Sequence, residues 1–170
     1  MSEFALRETT VVFARARWDD PADCLAVIDL LDAYARDPMG GGEPLGQYAR
    51  ANLPKAMATT PGAFSVIGRR KGEPVALANC FTALSTFACK PLINVHDLVV
   101  VADARGLGIG QQLLMYIERE ASRMGCCKIT LEVLTGNRPA RRSYERFGFT
   151  PYTLDESTGH ALFLQKQLCK

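Results

Sequence analysis

The most constraining feature of this chain is a single transition. The apolar run Leu98-Val99-Val100-Val101 passes within a few residues into Arg105-Gly106-Leu107-Gly108-Ile109-Gly110, and from there into an amphipathic stretch. Four consecutive apolar residues read as a strand covered on both faces. Downstream, Leu113, Leu114, Ile117, Ala121 and Met124 share one face of a helix expected over 110–124. A buried strand entering a helix through a glycine-rich turn brings backbone amides to a helix start, where the free N–H groups and the dipole favour an anion. The ligand expected there carries phosphate. A dinucleotide fingerprint fails, because the third glycine position falls on Gln111 counted from Gly106 and on Leu113 counted from Gly108. A P-loop fails as well, since no Gly-Lys-Ser/Thr follows. What remains is Arg-x-x-Gly-x-Gly, carried by Arg105, Gly108 and Gly110. The competing reading is a glycine turn that only permits close helix–strand packing.

A second element lies downstream. Asn137 opens a helix with Pro139 in its first turn, and Ala140, Tyr144 and Gly148 follow. At 100° per residue, Asn137, Ala140 and Tyr144 fall nearly on one line. An amide, a gap left by a small residue and a phenol therefore face one way. Asn137 is also a natural N-cap, and Tyr144 can serve as a core residue instead.

The rest of the chain supplies a mixed α/β order. A strand is expected over 10–17, and a helix over 21–34, with Asp20 and Pro21 at its start and Leu25, Ile28 and Leu31 at core spacing. The breaker Asp37-Pro38-Met39-Gly40-Gly41-Gly42 follows, then a helix over 44–59 interrupted at Pro54. Residues 64–70 and 74–81 read as a hairpin, 92–101 as a long strand, 127–134 as another, and 151–154 with 161–168 as two closing strands. A length of 170 residues suits one domain over 1–170. The expected fold is α/β, a single mixed central sheet of about six to seven strands flanked by helices.

Charge excludes some partners. The chain totals +2, but between Arg105 and Arg146 eight Lys/Arg stand against four acids, a local +4. Such a localised field suits a small anion better than a nucleic acid. Six cysteines show neither a CxxC pair nor a Cys/His metal spacing, so no metal is expected. No apolar run approaches the ~20 residues of a membrane span, and the first residues do not read as a signal peptide. Reduced thiols and a cytoplasmic location are the expectation.

The Arg105–Gly110 turn, the run Asn137-Arg138-Pro139-Ala140 through Tyr144, the closing Phe147-Gly148-Phe149 and the strand Asn94-Val95-His96-Asp97-Leu98-Val99-Val100 together resemble the GNAT superfamily of N-acetyltransferases. The resemblance is specific over residues 92–150 and weak over the first 90. It implies the GNAT fold with splayed central strands, an acetyl-CoA-binding core over 92–150 and an acceptor side over 1–91. By similarity, the amides of Arg105, Gly106, Leu107, Gly108, Ile109 and Gly110, with Gln111 nearby, take the acetyl-CoA pyrophosphate. The pantetheine arm pairs along Leu98, Val99 and Val100, and the amide of Leu98 or Val99 polarises the thioester. Asn137 and Ala140 accommodate the pantetheine, and Tyr144 protonates the departing thiolate.

In the family, the positions four and two before Leu98 supply bases; here these are Asn94, which cannot accept a proton, and His96. Strand alternation puts Asn94, His96 and Leu98 on one face and Asp97 on the other unless a bulge intervenes. His96 is thus the expected base for direct transfer to a primary amine. The Asp37–Gly42 segment reads either as a mobile loop over the acceptor site or as a plain linker, and Asp32, Asp37 and Glu43 are candidate partners for a cationic amine. Residues 127–132 resemble the strand of glucosamine-6-phosphate acetyltransferases, which makes an amino-sugar phosphate one acceptor among amino acids, polyamines and protein N-termini. A non-catalytic acetyl-CoA-binding sensor is the alternative of a different class. The resemblance also implies a homodimer.

Overall fold

The computed structural model describes residues 10–153, 155, 157, 159 and 161–168. They fall into two compact units that divide after Leu131.

The first unit is built on a five-stranded sheet in the order β1-β2-β3-β4-β5: β1 (Val11–Arg15), β2 (Ala63–Arg70), β3 (Glu73–Ser85), β4 (Lys90–Val100) and β5 (Ile129–Leu131). The first four pair antiparallel, and β5 joins β4 in parallel. Helices α1 (Pro21–Ala35) and α2 (Gln47–Thr59) precede the β2–β3 hairpin, and α3 (Ile109–Arg123) connects β4 to β5. The sheet thus has a core on each face. On one, α3 sets Ile109, Leu113 and Ile117 against Val66, Ala78 and Val95. On the other, α1 sets Ala26, Val27 and Leu30 against Ile67, Leu77 and Val99. Asp20 caps α1 by accepting from the Ala22 amide at 2.9 Å, with Pro21 at the first helical position.

Several expected boundaries move. The buried stripe of α1 is Ala26, Val27 and Leu30, while Leu25 is exposed, because the helix is turned by about one residue from the Leu25-Ile28-Leu31 spacing. Helix α2 runs unbroken through Pro54; the missing N–H costs one ladder bond without ending the helix. Strand β5 is three residues long rather than eight.

The second unit carries α4 (Arg138–Phe147), which ends at Gly148 in the left-handed conformation. The two expected closing strands do not form among the described residues. Residues 151–153 and 161–168 are irregular and exposed, joined by a bond from the Ala161 amide to the Tyr152 carbonyl at 3.1 Å. Leu154 lies outside the described residues. Alternating sequence makes a strand only where a neighbour offers a ladder, so the sheet has five strands instead of six to seven.

Candidate functional site

Strand β4 continues past its parallel neighbour. The β4–β5 ladder ends at Val95↔Leu131, whereas β4 stays paired with β3 up to Val100↔Ala76. Val101 donates across to the Val75 carbonyl of β3 at 3.0 Å. Amides alternate direction along a regular strand, so Val99 also points toward β3, and Leu98 and Val100 point to the opposite edge. Of the two candidate amides for a thioester carbonyl, Leu98 is the one directed to that edge. The Val99 side chain is buried under α1 instead.

The register of β4 overturns one expectation. Asn79 pairs with Asp97 and Cys80 with Val95, so His96 is an extra residue in a β-bulge. The bulge reverses the alternation. Ile93 and Val95 share the α3-side core with Leu98 and Val100, while Val99 belongs to the α1-side core. Leu98 therefore does not share a face with Asn94, and Asp97 keeps the face of Val99 but no longer shares one with Val95. His96 is exposed, its ring edge-on to Phe81 at 5.6 Å. Asn94 donates from Nδ2 to Thr130 Oγ1 at 3.2 Å.

Asp97 sits at the end of a polar row crossing three strands at matching register. Ser65 Oγ donates to Asn79 Oδ1 at 2.5 Å, and Asn79 Nδ2 donates to Asp97 Oδ2 at 3.0 Å. Ser65 and Asn79 are fully enclosed. Above them, burial, with the nearby Asp97 and Asp37 carboxylates, pushes the Tyr34 phenol above its ordinary range. A polar residue within each apolar run, Phe64-Ser65-Val66-Ile67 and Leu77-Ala78-Asn79-Cys80, was the available signal. Its pairing depended on register, which the sequence does not display.

The glycine turn has the geometry of a cradle. After one 3-10 turn at Ala102–Ala104, Gly106 and Gly108 adopt φ of 77° and 75°. A Cβ added at either would meet nothing within 4 Å. Gly108 is the N-cap of α3, and no side chain caps it. The helical ladder starts with Gln112 donating to Gly108 at 3.1 Å, so the amides of Gly106 through Gly110 precede it. Leu107 points outward, Ile109 anchors the turn in the core, and Gln111 is half-buried. The packing role is present too, since a Cβ on Gly110 would lie 3.9 Å from Val100 Cγ2. The Arg105 side chain turns back from this cradle. It donates from Nε to the Val100 carbonyl and from Nη2 to Asp37, both at 2.9 Å.

The Asp37–Gly42 segment is therefore held. Arg105 and the Met39 amide keep the Asp37 carboxyl below its usual range, with the amide the larger influence. Asp32 accepts from the Leu45 amide and pairs with Arg36 and Arg50. Asp32 and Asp37, two of the three candidate amine partners, are thus already engaged by the fold, and the third, Glu43, lies exposed.

In the second unit, Asn137 Oδ1 accepts from the Ala140 amide at 3.2 Å, which confirms the cap. An amide that caps through its oxygen still has two N–H donors. Asn137, Ala140 and Tyr144 are all half-buried, as expected of one helical line. Tyr144 stands edge-on to Phe149 at 5.9 Å. Arg138, Arg142 and Arg146 are exposed, and Arg141 pairs with Glu145 at 3.6 Å. Among the described residues no group of three His, Cys, Asp or Glu side chains is placed to hold a metal ion, and no helix is long and apolar enough to cross a membrane.

A strand with one edge released beyond a bulge, feeding a glycine cradle at a helix start, is the arrangement of a known class. Residues 27–149 match the model of the Acetyltransferase (GNAT) family, and the chain belongs to that family. It is 31% identical over 94 residues to the uncharacterized N-acetyltransferase YhfO of Bacillus subtilis (strain 168), covering 55% of this chain and 60% of that protein. It is 34% identical over 77 residues to the streptothricin acetyltransferase of Streptomyces lavendulae, covering 45% and 41%. Both matches span less than two thirds of the relative's length. In fold, it resembles the crystal structure of a possible acetyltransferase from Clostridium difficile 630, with TM-score 0.75 and 17% identity over 94% of this chain and 99% of that one.

Proposed function

We propose that this protein is an acetyl-CoA-dependent N-acetyltransferase that moves an acetyl group directly to a primary amine. The observation that carries the reading is the cradle: two glycines at positive φ with open space outside them, at an uncapped helix start, directly after the released edge of β4. These residues fit a diphosphate. Acetyl-CoA supplies an activated thioester; the chain supplies position and proton handling.

The amides of Gly106–Gly110 would hold the pyrophosphate, with Gln111 nearby; Arg105, expected to join them, instead donates its amide to the Ala102 carbonyl and its side chain to Val100 and Asp37. The Leu98 amide would donate to the thioester carbonyl, where negative charge develops during attack. Tyr144, on the family resemblance, would return a proton to the thiolate, and Asn137 and Ala140 would accommodate the pantetheine. His96, exposed on the bulge, is one candidate to take the proton of the amine. Asp97 is the second, lying on the α1 face with Val99. A thiol-release assay with acetyl-CoA and a panel of amines tests the reading. The panel includes a polyamine, lysine, glucosamine 6-phosphate and a peptide with a free N-terminus. Thiol release with at least one amine is the expected result. Tight binding of acetyl-CoA with no release for any of them would favour the sensor instead. The streptothricin acetyltransferase match keeps an amine-bearing small molecule among the acceptors to try.

A further inference from the structure

We infer that Ser65 and Asn79 are positioning residues that hold the Asp97 carboxylate as the seat and proton acceptor for a cationic alkylamine. The inference rests on the acetyl-transfer reading above and extends it to the acceptor half of the site.

The row Ser65–Asn79–Asp97 is polarised in one direction. The Ser65 hydroxyl donates to the Asn79 carbonyl oxygen, and the Asn79 amide nitrogen donates to the carboxylate. Each donor points toward Asp97, so each bond strengthens the next and the carboxylate is held in one place. Two enclosed polar side chains are a poor choice for packing alone, since the surrounding face is Val27, Leu30, Ile67, Leu77 and Val99. Apolar residues would fill those positions without a desolvation cost. What the pair achieves is to fix one carboxylate at the bulge, beside the strand edge that β5 has left.

The other groups facing Asp97 are consistent with a cation between them. Tyr34 from α1 feels both Asp97 and Asp37, and His96 adjoins it on β4, while Cys80 feels Asp97 from the core on the opposite face. Arg105 is turned onto Asp37, which leaves Asp97 as the carboxylate of this face to meet the amine. In the step assigned to it, the N–H bond of the ammonium breaks and its electron pair stays on nitrogen. The proton passes to the Asp97 carboxylate. The nitrogen then forms the C–N bond as the C–S bond of the thioester breaks and its electron pair leaves with sulfur; the proton that nitrogen sheds as the amide forms balances the one the thiolate takes up.

The test is the pH dependence of thiol release with the best amine of the panel, in the wild-type chain, Asn79→Leu, Asn79→Asp and Ser65→Ala. Acetyl-CoA binding is measured in parallel by calorimetry. Asn79→Leu is expected to lower kcat by about 10–100-fold and to move the acid limb of the profile upward by about one pH unit, since a general base loses its supporting donor. Asn79→Asp should move that limb further, because a second carboxylate disfavours the charge on the first. Ser65→Ala should do the same to a smaller extent, and acetyl-CoA affinity should stay within about twofold in all three, as the cradle is untouched. Ser65→Ala removes only a hydroxyl and gives the decision if Asn79 variants do not fold. Unchanged acid limbs in variants that bind acetyl-CoA would overturn the inference and leave the acetyl-transfer reading standing. A wild-type chain that binds acetyl-CoA but releases no thiol with any amine would overturn that reading, and the inference with it.

Discussion

Two glycine-rich segments of this protein look alike in sequence and behave differently in the fold. Asp37–Gly42 engages its own amides. Gly40 and Gly42 donate to the Asp37 carbonyl at 2.7 and 3.1 Å, and Met39 donates to the Asp37 side chain at 2.9 Å. Gly40 lies flat against helix α1, where an added Cβ would come within 1.9 Å of the Tyr34 carbonyl oxygen. In Arg105–Gly110, Gly106 and Gly108 face open space and the amides of Gly106–Gly110 precede the helical ladder, while the Arg105 amide donates to the Ala102 carbonyl at 3.1 Å. Glycine content alone therefore does not make an anion site. The amides must also be left unengaged, at a place where a helix dipole can act.

The contrast breaks most visibly at Gly40. Gly40→Ala forces a methyl into backbone, and a destabilisation of about 3 kcal/mol is expected, lowering Tm by roughly 10 °C in calorimetry. Acetyl-CoA binding in the cold should survive. Gly108→Val has the opposite signature. Strain at positive φ costs about 1–3 kcal/mol, and the new side chain occupies the cradle, so acetyl-CoA affinity should fall roughly 100-fold, about 2.7 kcal/mol. Titration calorimetry on both variants separates the two segments.

Smaller effects sharpen the link between them. Burial, together with Asp97 and Asp37, raises the Tyr34 phenol. The neutral phenol is thus favoured in the folded state, a contribution present below the ordinary tyrosine range near ~10 and lost as pH rises through the elevated value. Asp97→Asn should bring the Tyr34 titration part of the way back, as followed by NMR of the ring carbon. Asp37→Asn should be the mildest change. The exposed Arg105 makes the pair worth at most about 1 kcal/mol. Because the Asp37 carboxyl is held low, that contribution exists above the ordinary aspartate value near ~3.9 and disappears as pH falls through the lower, folded one. Wild type and Asp37→Asn should therefore differ slightly in Tm at neutral pH and converge in acid.

The parts of this structure that were legible in sequence are those governed by local pattern. The apolar face of α3 at Leu113, Leu114, Ile117 and Ala121, the turn at Gly106 and Gly108 and the cap at Asn137 all follow from spacing and residue type and are found where expected, while Met124, expected on that face, is exposed beyond the helix end. The bulge at His96 had no such mark. It contains neither glycine nor proline, and it is defined by a partner strand whose register is set elsewhere. That one extra residue sets Leu98 on the opposite face from Asn94 and Asp97 on the opposite face from Val95, a placement that alternation alone does not show. The short β5 and the irregular residues 161–168 were misjudged for a related reason, since strand length depends on how far a neighbour runs alongside. Pro54 erred the other way, as a local rule for breaking helices that α2 tolerates.

Amide NMR reads the difference between the two glycine segments residue by residue. In a titration of the full chain with acetyl-CoA, the Gly106, Gly108 and Gly110 amide resonances should shift strongly and become protected from exchange. Those of Gly40, Gly41 and Gly42 should move little. Saturation by acetyl-CoA with the Gly106–Gly110 amides unmoved would contradict a cradle at this turn.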